Sequence, residues 1–393
     1  MRINREVILF FAAVACLAAA LSIHDSVFNN FLDDAFKIGA GARGRLEFPR
    51  ELPGLLVVLL AGVLCTLAVT HLGVVGCVVF SAGMVGMALF GSRYGTMIAM
   101  MMLGSAGHHL LQPVQSSIAI GLSDGGSRGK RIGQMGALGN IGALLGAGTV
   151  WLFADDVAPR YRMWFLGAAA AGTVAAMLYA GMHVPHLHQP RARLVFRRRY
   201  RLYYALELLF GARKQIFITF GPWVLIRVYG EAASGIAGLL MAGAIIGIVF
   251  KPISGWAIDR FGEGTVLVAD GLVLAVVCIG YGYARTLSGD PSTALVIARG
   301  CFVTDNLLFA LGAGRAVYLS RLTHSPQELT SSLAMGISIN HIVSMIVPAI
   351  AGAVWVGFGY ERVFAAAAVL AIAIAVVATR VPRRNALQAS RQP

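Results

Sequence analysis

Apolar residues run along this chain in unbroken blocks of about 20, set apart by short polar connectors. A block of that length crosses roughly 30 Å of hydrocarbon when it is helical. Apolar and polar positions do not alternate with a period of two, as the strands of a membrane barrel would require. Within a bilayer, backbone N–H and C=O groups must be paired inside the segment, so helices are the solution. The pattern predicts helices over 7–31, 52–70, 73–91, 94–122, 132–154, 161–184, 202–228, 233–257, 264–285, 292–319, 329–356 and 360–380. The first block has no small-residue cleavage site before the polar patch at His24, and it is read as a retained helix.

Composition narrows the class. Of 393 residues, 58% are hydrophobic and only 13% charged, with a mean hydropathy of +0.74. A soluble globular protein is usually about a quarter charged, so the expected fold is an all-α membrane protein of twelve spans. The net charge of +14 could suggest nucleic acid. The arginines, however, sit in short connectors between apolar blocks, so no nucleic-acid partner is expected. Cys16, Cys65, Cys77, Cys278 and Cys301 all fall within apolar blocks without CxxC spacing. They suggest neither disulfides nor a zinc site.

Charge also sets the orientation. HLHQPRARLVFRRRYRL at 186–202 is too polar to insert and divides the chain. The expected organisation is a six-helix half over 1–185, a basic linker over 186–201 and a second six-helix half with its tail over 202–393. With twelve spans, that linker, MRINRE at the start, SRGKR at 127–131 and VPRRNALQASRQP at the end share one side. Positive charge in short loops marks it as cytoplasmic. Both termini are therefore expected in the cytoplasm of a bacterial-type inner membrane. The 33–50 segment breaks the rule with Lys37, Arg43, Arg45 and Arg50, offset by Asp33, Asp34 and Glu47.

An internal repeat supports the division. HHLL at 108–111 aligns with DNLL at 305–308, MGALGN at 135–140 with MGISIN at 335–340, and HDSVFNNF at 24–31 with RKQIFITF at 213–220. The three matches keep the same order, with offsets of 197, 200 and 189. Parallel repeats of six helices are one way to build an alternating-access transporter.

With these features the chain resembles the major facilitator superfamily over essentially its whole length. GWAIDRFGEG at 255–264 is similar to the family's Gly-x-x-x-Asp-Arg-x-Gly loop, with Gly255, Asp259, Arg260 and Gly262 at the matching positions. They become the candidate gating motif. The corresponding first-half loop, near THLGVVG at 70–76, lacks the Asp and Arg of a two-sided charge latch. The resemblance implies that the first, fourth, seventh and tenth helices line a central cavity.

Those four helices carry the polar interruptions. An ionisable group at mid-span costs about 2.5–3.5 kcal/mol on insertion scales, so it should pair or face a wet cavity. The candidate solute-binding residues are His24, Asn29, Asn30, His108, His109, Gln112, Gln115, Arg213, Lys214, Gln215 and Asn306. Adjacent helical residues lie about 100° apart, so one of His108 and His109 is expected to point fully inward. Asp25, Asp305 and His108 are the proton-coupling candidates. Histidine changes charge near neutral pH, and a desolvated carboxylate holds its proton more firmly. The bland alternative is an ion-pair network that only joins the halves. Glu207 is a further acid, read as lying near a cytoplasmic helix end.

Mixed charge suits a small organic anion or zwitterion, with the planar fork of Arg213 gripping a carboxylate or phosphate. The reading is a proton-coupled secondary transporter, monomeric, with lipid, solute and protons as its partners and no cofactor or metal. Efflux of amphipathic compounds is the nearest rival, if Met97, Met100, Met101 and Met102 line the pocket. A divalent-metal carrier using His24, Asp25, His108 and His109 is disfavoured by the nearby positive charge. An enzyme is disfavoured because no nucleophile-and-base motif is present. Asn340 is assigned to interhelical hydrogen bonding, and Gly133, Gly136, Gly139, Gly142 and Gly146 to close helix packing. RGRLEFPRELPG at 43–54 is expected to be a solvated connector, with an external gate as the alternative. Pro53 is placed near the first turn of the second helix.

Overall fold

The computed structural model describes residues 5–59, 66–123, 128–184 and 194–382. A described helix overlaps each of the twelve expected spans. In chain order the helices are α1 (Arg5–Phe36), α2 (Ala40–Arg45), α3 (Glu47–Leu59), α4 (Val69–Phe90), α5 (Tyr94–Gly121), α6 (Arg128–Phe153) and α7 (Tyr161–Ala180). They continue with α8 (Arg201–Tyr229), α9 (Ala233–Phe261), α10 (Glu263–Gly282), α11 (Ala284–Ser288), α12 (Pro291–Leu308), α13 (Ala313–Leu322), α14 (Pro326–Phe358) and α15 (Tyr360–Ala378). A 3₁₀ turn, Phe309–Gly312, joins α12 to α13 within the tenth span. Cys65, Arg191, Arg193 and the tail beyond 382 lie outside the described residues.

Among the described residues nine helices are long and apolar enough to cross a membrane by length and composition. The three remaining spans are instructive. The described part of α3 covers 13 residues. The other two, α5 and α8, carry HHLLQPVQ and GARKQ, whose polar groups dilute the apolar run.

Helix ends follow local chemistry. Asp290 caps α12 by accepting from the Thr293 N–H at 2.8 Å, with Pro291 in the first turn, where a missing N–H costs nothing. Ser325 caps α14 by accepting from the Glu328 N–H at 3.2 Å, and Glu328 reaches back to the His324 N–H at 3.0 Å. The second span departs from the expected start. It begins at Glu47, so Pro49 takes the first turn and Pro53 lies inside the helix. At Pro53 the ring removes a backbone hydrogen bond that the first turn would not have made.

The chain divides into two compact units. The first comprises 1–38, 49–191 and 231–245, and the second 39–48, 192–230 and 246–393. In the first, α4 packs along α5 and α7, and α1 along α6 and α7. In the second, α10 packs along α15, α8 along α14 and α15, and α2 against α14. Lipid is as apolar as leucine, so close packing and polar contacts must hold membrane helices together. Two glycines of the predicted series act this way. A Cβ on Gly142 or Gly146 would strike the backbone of Ala15 or Ala19 on α1, whereas Gly133 and Gly136 meet nothing. Large apolar side chains such as Leu145, Val249, Val276 and Val369 point outward, as a lipid-facing surface requires.

Candidate functional site

In the first unit the polar residues of α1 and α5 gather with the start of α3. His24 Nδ1 lies 3.0 Å from Asp25 Oδ1, and its ring stacks on Phe28 with centroids 4.8 Å apart. The Asp25 side chain remains 57% exposed and feels the charges of Arg50 and His108. Asn29 and Asn30 are buried, and Asn30 Nδ2 donates to the Glu231 carbonyl at 3.0 Å. A helix-ordering role therefore occupies one face of Asn30.

The paired histidines separate, as the helical step requires. Their rings stand edge-on with centroids 5.4 Å apart. His108 Nε2 lies 3.0 Å from Gln112 Nε2, so one ring nitrogen accepts from the amide. His109 turns the other way. Its Nδ1 is 2.9 Å from the Ser105 carbonyl and its Nε2 3.8 Å from Glu51 Oε2. Ser105 in turn donates to the Arg50 carbonyl. His109 is thus a structural partner of the Arg50–Glu51 turn, and His108 faces Gln112. Gln112 is exposed and Gln115 half-buried on the same helix.

The methionines of α5 serve packing. Met97 and Met101 are buried, and Met100 seats its sulfur where a Cβ on Gly86 would lie.

In the second unit, Arg213 and Asp305 form a fully buried ion pair between α8 and α12. The guanidinium also lies 5.6 Å from the Phe309 ring centroid. Lys214, one step round the helix, donates to Asn340 Oδ1 at 2.9 Å, which gives Asn340 its expected interhelical bond. Gln215 is buried and donates to Glu47 Oε2 at 2.9 Å. Asn306 back-bonds to the Phe302 carbonyl of its own helix at 2.8 Å.

The 43–54 stretch is not a solvated connector at its start. Arg43 Nη1 donates to Glu47 Oε1 at 2.6 Å, with the two side chains 1% and 0% exposed. Packing of α2 on α14 and α8 removes both from water, and opposite charges at i, i+4 meet across one helical turn. Glu207, read as a helix-end acid, is buried instead and accepts from Arg315 Nε at 2.8 Å.

The loop motif joins α9 to α10. Gly262 has φ +84, a left-handed conformation that only glycine adopts at no steric cost. Asp259 and Arg260 are exposed and line a cleft of about 570 Å³ with Glu263, Thr265, Thr379 and Val381. Gly255 has open space around its Cα. The buried acid here is Glu263, one residue past the motif, which accepts from Arg321 Nη1 at 2.8 Å.

Arg50, Glu51, Glu263, Arg315 and Asp270 all join polar clusters, and none was singled out for that role from sequence. Asp270 carried a usable signal, since it is an acid in the middle of an apolar span. The others lie near span ends, where charge is ordinary.

The family profile described as Major Facilitator Superfamily matches residues 10–339. No curated protein sequence matches the chain. Among solved structures, the crystal structure of the nucleoside transporter NupG superposes with a TM-score of 0.76 at 14% identity, covering 96% of this chain and 99% of that one. A D-xylose-proton symporter superposes with a TM-score of 0.75 at 16% identity, covering 97% and 98%. An inward-facing, unoccupied bacterial homolog to the human lysosomal transporter Spinster gives 0.68 at 16%, again covering 97% and 98%. At such identities the likeness establishes the fold alone.

Proposed function

The chain belongs to the major facilitator superfamily and is a transporter rather than an enzyme, and from that premise we propose that it carries a small organic anion or zwitterion by alternating access coupled to protons. The observation that supports this reading is the mixed-sign cluster of the first unit. Asp25 stays open while His24, Arg50 and His108 stand around it, on helices whose other mid-span positions are mostly apolar. An intramembrane charge that is neither lipid-facing nor locked in a dry pair is a functional group by default. A solute bearing both signs finds complementary partners there.

Asp25 is the coupling residue in this reading, with Asp305 and His108 as further candidates. His24, Asn29, Asn30, His108, Gln112 and Gln115 form the solute path, which His109, Arg213, Lys214, Gln215 and Asn306 join by exchanging the partners that hold them within the protein, and the Gly255–Gly262 motif acts as a gate. The protein works as a monomer in a bacterial inner membrane, with both termini in the cytoplasm. The likeness to a D-xylose-proton symporter supports a proton-coupled reading.

The test is a solute screen in proteoliposomes with an imposed pH gradient. Wild type accumulates its solute and Asp25→Asn loses gradient-driven accumulation while retaining exchange of solute across the membrane. Equal accumulation by both proteins would sink the assignment of Asp25.

A further inference from the structure

Asp270 lies in the middle of α10, in a span that otherwise reads as apolar. Its side chain is 1% exposed, and neither carboxylate oxygen has a hydrogen-bond partner among the described residues. An ionised carboxylate removed from water and left without a donor is among the costliest groups a protein can bury. It is retained only with a counter-charge in contact, or by becoming neutral.

The surroundings decide between those outcomes. Asp270 feels the charges of Arg213 on α8, Arg315 on α13 and Asp305 on α12. Arg213 is paired through Nη1 with Asp305 and Arg315 through Nε with Glu207; Arg213 Nε and Nη2 are buried without a hydrogen-bond partner among the described residues, and neither bonds Asp270. The second face of α10 packs on α15, where Ala371 and Ala375 meet Gly271 and no ionisable residue lies between Arg362 and Arg380. The other titratable side chains on these elements, Cys278 on α10, Cys301 on α12 and Tyr318 on α13, are each neutral in their ordinary form. Glu207, Asp270 and Asp305 set against Arg213 and Arg315 leave one negative charge in excess.

We propose that Asp270 binds an exchangeable proton, making the Arg213–Asp305–Asp270–Arg315–Glu207 cluster of the second unit a proton site separate from Asp25. One proton brings the cluster to neutrality and needs only one acceptor oxygen. A metal cation would need several oxygens and would meet two guanidinium groups. Reaction of the cluster during transport follows from the mixed pairing: when either arginine trades its partner for Asp270, the proton passes to the acid that is left, Asp305 or Glu207, and is released when that acid meets water. The use of this proton in coupling rests on the transporter reading above; its presence does not.

Infrared difference spectroscopy on the full chain in lipid vesicles separates the two. Wild type at neutral pH is expected to show a protonated-carboxyl carbonyl band that shifts in D₂O. Asp270→Asn loses that band, and Asp25→Asn, outside the cluster, keeps it. If Asp270→Asn fails to fold, Asp270→Glu serves, because the band then moves instead of vanishing. A wild-type spectrum without the band, a band untouched by both Asp270 variants, or one abolished only by Asp25→Asn overturns the proposal. So does a carboxylate signal that responds to sodium but not to pH. Loss of the Asp270 band in a protein that transports no tested solute would leave the proton site standing and count against the transporter reading alone.

Discussion

Replacing Glu47 by Gln keeps the side-chain volume and deletes one buried charge. Glu47 is 0% exposed and accepts from Arg43 at 2.6 Å and from Gln215 at 2.9 Å. Removing one partner of a buried pair costs about 3–5 kcal/mol, because the remaining ion stays desolvated without its counter-charge. The Gln215 bond to a charged acceptor contributes about 1.5–3 kcal/mol and is part of the same loss. No cavity forms, so packing adds little. For a unit of this size, ~1 kcal/mol moves a melting temperature by roughly 2–4 °C. Glu47→Gln should therefore melt about 6–20 °C below wild type in detergent, followed by fluorescence-detected size exclusion. The double change Arg43→Met with Glu47→Leu removes both ions together and should recover most of that drop, since apolar replacement of a whole buried pair is often neutral. A Glu47→Gln shift under about 2 °C, or a double variant no better than the single one, would refute the claim that α2 is held by this pair.

Two further outcomes are expected. Gly146→Val places side-chain atoms into the backbone of Ala19 and should cost about 1–3 kcal/mol in a thermal melt, whereas Gly136→Val, with open space at its Cα, should be near neutral. Hydrogen bonds from Ser292 and from the Thr293 N–H hold the Asp290 carboxyl at about 2, below its ordinary 3.8. A depressed acid stabilises the fold above its unfolded pKa and loses that contribution as pH falls through the folded value. The stability gap between wild type and Asp290→Asn should thus be constant above roughly pH 5 and shrink from about pH 4 toward 2; a gap that widens on acidification would contradict the cap.

Much of the fold was legible in one dimension. Twenty apolar residues in a row carry the same meaning wherever the segment sits, so the spans were found to within a few residues from composition alone. The exception at the second span arose because 43–54 is rich in charge and proline. Arg43 and Glu47 neutralise each other across one helical turn, and Glu47 accepts a further hydrogen bond from Gln215, some 170 residues away in sequence. The polar groups of α1, α5, α8 and α12 were equally visible, because an ionisable residue inside an apolar run announces its own cost.

Partnership was not visible. Whether Arg213 grips a solute or Asp305, which of two adjacent histidines meets Gln112 and which meets Glu51, and whether Asp270 is paired depend on helix rotation. Each residue turns a helix by about 100°, so neighbours in sequence face different surroundings. The sequence determined where charge enters the membrane-spanning segments and how many helices it must ride on. Only the tertiary structure decided which charges cancel, because cancellation is a matter of a few ångströms between side chains on different helices.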